Sequence, residues 1–170
     1  MNEQNTVAKT SGELFAYLDS LGIAHSTVEH EPVFTVAESQ KVRERLSGGE
    51  TKNLFLKDKK GNYFLVTALQ DTEIDLKSIH TRIDGRGRVS FGNAERLMEY
   101  LGVVPGSVTA FGVINDAAGV VRVVLDAELM KHHTINCHPL RNDATTAIAR
   151  DDLLRFLEST GHAPIIVALS

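Results

Sequence analysis

Two runs of β-prone residues, TKNLFLKD and NYFLVTAL, flank Lys59-Lys60-Gly61. Apolar, branched and aromatic residues on either side of a short glycine-containing turn specify a β-hairpin, because glycine supplies the positive φ such turns need. The rest of the chain reads as elements around that hairpin. Thr10-Ser11 followed by GELFAYLDSLGI is a capped amphipathic helix with Leu14, Phe15, Leu18 and Leu21 on one face and Gly22 at its stop. AHSTVEH alternates as a strand does, EPVFT is a turn or short extended piece around Pro32, and VAESQKVRERL is helical up to Ser47-Gly48-Gly49. Asp75 to Ile79 is a short helix and RVSFG a strand. Asn93 caps AERLMEYLG, with Leu97, Met98 and Leu101 facing inward.

Further on, SVTAFGVI and GVVRVVLD are expected as a second hairpin around the turn from Asn115-Asp116 to Gly119. TINCH and ATTAIA are strands, DDLLRFLEST is a helix whose Asp151 and Asp152 suit its positive end, and PIIVAL closes the chain. Seven or eight strands with about four helices make a single α+β domain over residues 1–170. Its centre is a mixed, mostly antiparallel β-sheet with flanking helices. No regular strand–helix alternation of a doubly wound fold is present.

One cysteine in 170 residues excludes an intrachain disulfide and suits a reducing cytoplasm. The polar start MNEQNTVAKTSGELF has no apolar signal core, and no apolar run approaches the ~18 residues of a membrane span. The net charge of −4 is unevenly spread: residues 41–60 carry seven Lys/Arg against three Asp/Glu, and 77–96 carry five against two. A basic face on an acidic body suits restrained contact with a phosphate backbone. The bland alternative for Lys57, Lys59 and Lys60 is a solvated hairpin tip.

His132, His133, Cys137 and His138 crowd one stretch, KHHTINCH. Zinc needs three or four convergent ligands, but adjacent residues of a strand point to opposite faces, so at most two of these four converge. There is no CxxC, HExxH or GxSxG, and Gly85-Arg86-Gly87 lacks a strand–turn–helix setting. Cys137 reads as small core filler and Arg86 and Arg88 as surface charge. What remains is Lys52-Asn53 opening a strand, Gly106-Ser107 preceding another, and His138-Pro139-Leu140 with Asn142.

Three segments, GETKNLFLKDKKGNYFLVTA, LGVVPGSVTAFGVIND and INCHPLRNDATTAI, with HEPVFTVAES before them, resemble the YbaK/prolyl-tRNA-editing family, closest to its free-standing alanyl-tRNA(Pro) deacylases. The resemblance spans Leu14 to Leu169. It implies a compact mixed sheet and an aminoacyl-tRNA hydrolase that needs no metal, cofactor or covalent nucleophile. Lys52 would hold the tRNA's terminal adenosine and its phosphate, with Asn53 hydrogen-bonding nearby and Phe34 and Thr35 among the substrate contacts. The loop from Gly106 through Ser107 to Ala110 would back the aminoacyl pocket, with its amides facing the ester; the family typically has proline where Ala110 stands. His138 would lie at the pocket rim as binder or water-positioner, its turn fastened by Asn142. The resulting expectation is trans-editing of Ala-tRNA(Pro) in the cytoplasm, with tRNA and prolyl-tRNA synthetase as partners and no membrane. Its rivals are a deacylase for Cys-tRNA(Pro) or Ser-tRNA, and a non-catalytic tRNA- or synthetase-binding module.

Overall fold

The computed structural model describes residues 7–32 and 48–170. The expected helix VAESQKVRERL, and Phe34 and Thr35, lie outside those residues. In chain order the described elements are α1 (Ser11–Ser20), β1 (His25–Glu29), β2 (Gly49–Lys57), β3 (Tyr63–Leu69), β4 (Ser90–Phe91), α2 (Ala94–Leu101), β5 (Val121–Asp126), β6 (Thr134–Cys137), β7 (Ala144–Ala149), α3 (Arg150–Ser159) and β8 (Ile165–Val167). The strands form one mixed sheet in the order β1-β7-β6-β2-β3-β5-β8, with β4 also on β2.

The first hairpin is present, β2 and β3 pairing antiparallel from Thr51↔Leu69 to Lys57↔Tyr63. β3 is apolar at consecutive positions, not alternate ones, because both its faces are covered. Leu65 enters the main core, where α1 contributes Leu14 and Leu18, α2 Leu97 and Leu101, and α3 Leu153, Phe156 and Leu157. Phe64 and Val66 enter a smaller cluster on the other face with Leu56, Ile79, Ile83, Val124 and Leu169. α1 begins with a full capping box, Thr10 Oγ1 accepting from Glu13 N–H while the Glu13 carboxylate accepts from Thr10 N–H.

The expected helix from Asp75 to Ile79 is a turn leading into a 3₁₀ helix at Ile79–Thr81, and two further expectations fail. The second hairpin does not form: β5 is flanked by β3 on one edge and β8 on the other, so the preceding segment has no edge to pair with, and Ala110–Asn115 is instead a 3₁₀ helix capped by Thr109. That turn places Phe111 edge-on to Phe156 at a ring-centroid distance of 5.4 Å, a core contact a strand there would not make. A short buried apolar run has no periodicity to tell helix from strand. Met98 is 44% exposed, because α2 packs on the core through Leu97 and Leu101, four residues apart, and Met98 stands outside that stripe.

Asp58 closes the β2–β3 turn from a buried position. Its carboxylate accepts from the backbone N–H groups of Lys60 and Asn62 at 2.9 Å and of Arg86 at 2.8 Å, and from Asn62 Nδ2 at 2.9 Å. Burial by itself would raise its pKa, but these donors together hold it down at about 2. A depressed carboxylate stabilises the fold above its unfolded value of 3.8, and that contribution is lost as the pH falls through about 2. Asp58→Asn is therefore expected to cost about 1–3 kcal/mol at neutral pH in urea unfolding. The gap to wild type should close between pH 3.8 and 2.

Candidate functional site

A cavity of about 550 Å³ opens where β2 begins and β3 ends, walled by residues 48–50 and 69–72 together with Glu128 and His132. Glycine at position 49 is what lets its walls approach, since a Cβ there would lie 3.1 Å from both the His132 ring and the Leu69 side chain. Glu50, Asp71 and Glu128 give the cavity an acidic lining. Lys52 adjoins it, its ammonium donating to the carbonyl of the wall residue Thr72.

The β2–β6 register sets Glu50 beside Asn136. Alternation then carries Lys52 and His138, two residues further along each chain, to the same face. Thr51 Oγ1 donates to the Asn136 carbonyl at 2.7 Å and ties the two segments together. Asn136 is 2% exposed, yet neither its Nδ2 nor its Oδ1 has a hydrogen-bond partner, and Glu50 Oε1 is likewise buried without one. Such groups cost free energy in a folded chain, so their presence side by side at a cavity marks them as candidate ligand-binding groups. Sequence reasoning passed over both, although Glu50 lies two residues before Lys52 and Asn136 two before His138.

His138 is half-buried, and its Nδ1 meets the Ala144 carbonyl at 3.1 Å. A carbonyl only accepts, so Nδ1 carries the hydrogen, and in the neutral ring Nε2 is left as the acceptor. The neighbouring turn is bound to α1: Ser11 Oγ donates to the Pro139 carbonyl, and Arg141, ion-paired with Asp143 at 2.7 Å, donates to Ser11 Oγ at 3.2 Å. Asn142 Nδ2 would lie 3.7 Å from a Cβ at Gly106, so the Gly106 loop and the His138 turn adjoin. Gly106 is exposed at φ 93°, a conformation that favours glycine.

The remaining expected residues are placed differently. Asn53 points to the opposite face from Lys52, where its Oδ1 accepts from Thr67 Oγ1 at 2.6 Å across the hairpin. Ser107 is buried, its N–H closing a turn onto the Val104 carbonyl at 3.0 Å. Ala110 is fully buried in the main core, so it bears on any pocket only by packing behind the loop.

Among the described residues no group of three or more His, Cys, Asp and Glu is arranged to hold a metal ion. An aminoacyl-tRNA editing domain model matches residues 30–156, most of the chain. The chain belongs to the aminoacyl-tRNA editing family. It is 37% identical to the prolyl-tRNA editing protein ProX of Acetoanaerobium sticklandii over 150 residues, covering 88% of this chain and 91% of that one. It is 42% identical to prolyl-tRNA synthetase associated domain-containing protein 1 of Danio rerio over 158 residues, covering 92% and 85%. Two solved structures share the fold: hypothetical protein APE2540, with a TM-score of 0.70, 19% identity and coverage of 93% and 99%; and a protein described provisionally as a trans-editing enzyme for prolyl tRNA synthetase, with a TM-score of 0.70, 18% identity and coverage of 95% and 99%.

In this editing domain the cysteine is buried in the main core. Burial pushes the Cys137 thiol up to about 12, so it stays protonated at neutral pH. Native protein is expected to resist a thiol reagent such as iodoacetamide, and to react stoichiometrically only once unfolded in urea. Prompt labelling of the native chain would contradict that placement.

Proposed function

We propose that the protein is a trans-editing deacylase that hydrolyses the ester of Ala-tRNA(Pro), acting in the cytoplasm beside prolyl-tRNA synthetase. The observation that carries this reading is the adjacency of two opposite charges: an acid-rich cavity and, at its wall, the Lys52 ammonium. An aminoacylated tRNA end has the matching pair, a cationic α-amine on the amino acid and an anionic phosphate on the terminal nucleotide. A volume of about 550 Å³ suits an aminoacyl-nucleoside rather than a methyl side chain alone.

In the proposed reaction Lys52 grips the terminal phosphate as a compact point charge. Glu50 takes the α-ammonium, with the Asn136 amide beside it. A water, its proton accepted by Nε2 of His138, attacks the ester carbonyl, and the charge developing on the carbonyl oxygen meets backbone N–H groups of the Gly106 loop. The bond between the acyl carbon and the ribose oxygen breaks as that oxygen takes the proton from His138 Nε2, releasing alanine and a tRNA with a free terminal hydroxyl. Selection of alanine over the bulkier proline rests on the loop at Gly106 and Ser107, with Ala110 setting its packing from behind. Serine and cysteine differ from alanine by one heavy atom, which keeps Cys-tRNA(Pro) and Ser-tRNA as the competing substrates.

The deciding assay incubates the protein with labelled Ala-, Cys-, Ser- and Pro-tRNA(Pro). Alanine is expected to be released fastest and proline not at all; release of none above buffer leaves only a binding module. Lys52→Ala should lower the rate by roughly 10–100-fold, the worth of one charge-assisted hydrogen bond. Acetylating the substrate's α-amine should slow the wild type markedly but leave Glu50→Gln almost indifferent, and equal slowing of both proteins would remove Glu50 from the site.

A further inference from the structure

The Asp58 carboxylate does more than close a turn. Through Arg86 N–H it fastens the segment 86–88 to the hairpin tip, a link doubled by Lys59 N–H donating to the Arg86 carbonyl at 3.2 Å. The Lys59 stem lies over Gly87, where a Cβ would come within 3.0 Å of Lys59 Cγ, and Gly87 itself sits at φ 89°. Two basic stretches far apart in sequence thus become one surface carrying Lys57, Lys59, Lys60, Arg86 and Arg88, all exposed. β4 pairs with the end of β2 at the same edge and presents Phe91, 60% exposed.

What sets this surface apart is the clustering of its cations. Elsewhere Arg96, Lys131, Arg141, Arg150 and Arg155 are ion-paired, to Glu99, Glu128, Asp143, Asp151 and Asp152, Lys52 and Arg82 donate to backbone carbonyls, and Arg122 lies over the Phe64 ring. Among the described residues none of the five cations here is within 4.0 Å of a carboxylate. The nearby acids are Asp75, which Arg88 influences while Lys77 and Ser78 hydrogen-bond it, and the exposed Asp84. Asp58 organises the surface through backbone donors and the Asn62 amide, so it gathers the lysines and arginines without occupying their side chains. Like charges held together in this way repel one another and favour a polyanion.

We propose that this surface, separate from the cavity, is a docking site for the phosphate backbone of the tRNA acceptor stem. The proposal rests on the tRNA-editing reading and deepens it. Lys52 and Lys57 are five residues apart on one strand, about 17 Å at ~3.4 Å per residue; the odd separation turns their side chains to opposite faces, so it is the distance along the strand, not a shared face, that relates them. A nucleic-acid strand advances ~3.4 Å per stacked nucleotide, so the surface meets the strand about five nucleotides back from the end held at Lys52. That is where the single-stranded end of a tRNA gives way to its duplex stem. Phe91 there offers a ring on which a terminal base can stack.

The test uses the full chain with Lys59→Gln and Arg86→Gln combined, changes to exposed side chains that leave the Asp58 hydrogen bonds to the backbone in place. Binding of uncharged tRNA(Pro) is measured over a range of salt concentrations, and hydrolysis is compared on full Ala-tRNA(Pro) and on an alanylated CCA trinucleotide too short to reach the surface. The variant is expected to bind tRNA at least ~10-fold more weakly at low salt, with a log–log salt slope smaller by about 2, one for each phosphate contact removed. It should cleave the trinucleotide at the wild-type rate. Unchanged affinity and slope overturn the proposal, as does an equal loss on the trinucleotide, or capture of anionic vesicles in place of RNA. Salt-dependent binding lost in the variant upholds the surface even if no ester is cleaved, which separates its fate from that of the deacylase reading.

Discussion

β3 has neither a free edge nor a free face. β2 occupies one edge antiparallel and β5 the other in parallel, while Leu65 on one side and Phe64 and Val66 on the other enter separate apolar clusters. Such a strand leaves openings only at its ends, where the backbone turns to solvent. At its C-terminal end the turn 69–72 walls the cavity, and at its N-terminal end the Asp58 turn assembles the cationic surface. β2 runs the whole way between, with Glu50 and Lys52 near one end and Lys57 at the other. The hairpin is a rigid rule that sets the spacing of everything placed along it.

Electrostatics divide the molecule along that rule. The cavity end concentrates Glu50, Asp71 and Glu128 with the Lys52 ammonium at the border, while the far end gathers cations whose charged groups, among the described residues, form no ion pair. Polar groups are left unsatisfied where a ligand would satisfy them: the Asn136 amide and Glu50 Oε1 are buried and unpaired, whereas the Asp58 carboxylate is saturated. Unsatisfied buried groups cost stability, and chains carry that cost chiefly at functional sites. The Ala144 carbonyl does the complementary service for His138, orienting the ring and leaving Nε2 available to accept.

Much was legible because its cause is local. Asn93 caps α2 and Thr10 with Glu13 caps α1 through bonds three residues long, and TINCH and ATTAIA, read as strands, are β6 and β7. The candidate site was legible in outline from Lys52, Gly106, His138 and Asn142, because a known family places residues of these types in these motifs. Asn53 was expected among the substrate contacts beside Lys52; neighbours in a strand point apart, and here its Oδ1 accepts from Thr67 across the hairpin. Glu50 and Asn136 gave no sign in the sequence, since a glutamate and an asparagine in strands are ordinary until their burial and lack of partners are seen.

By itself the sequence determined the hairpin, the helix caps and the strand character of β6 and β7, because turn chemistry, capping and β-propensity act over a few residues. Tertiary structure alone decided that β5 lies between β3 and β8, which leaves the preceding segment no strand to pair with; Ala110–Asn115 is a 3₁₀ helix and Ala110 is sunk in the core. It alone joined 57–60 to 86–88 through Asp58 and brought Glu50 beside Asn136. These are contacts between segments tens of residues apart. Their geometry comes from filling one shared core, and no window of sequence contains that constraint.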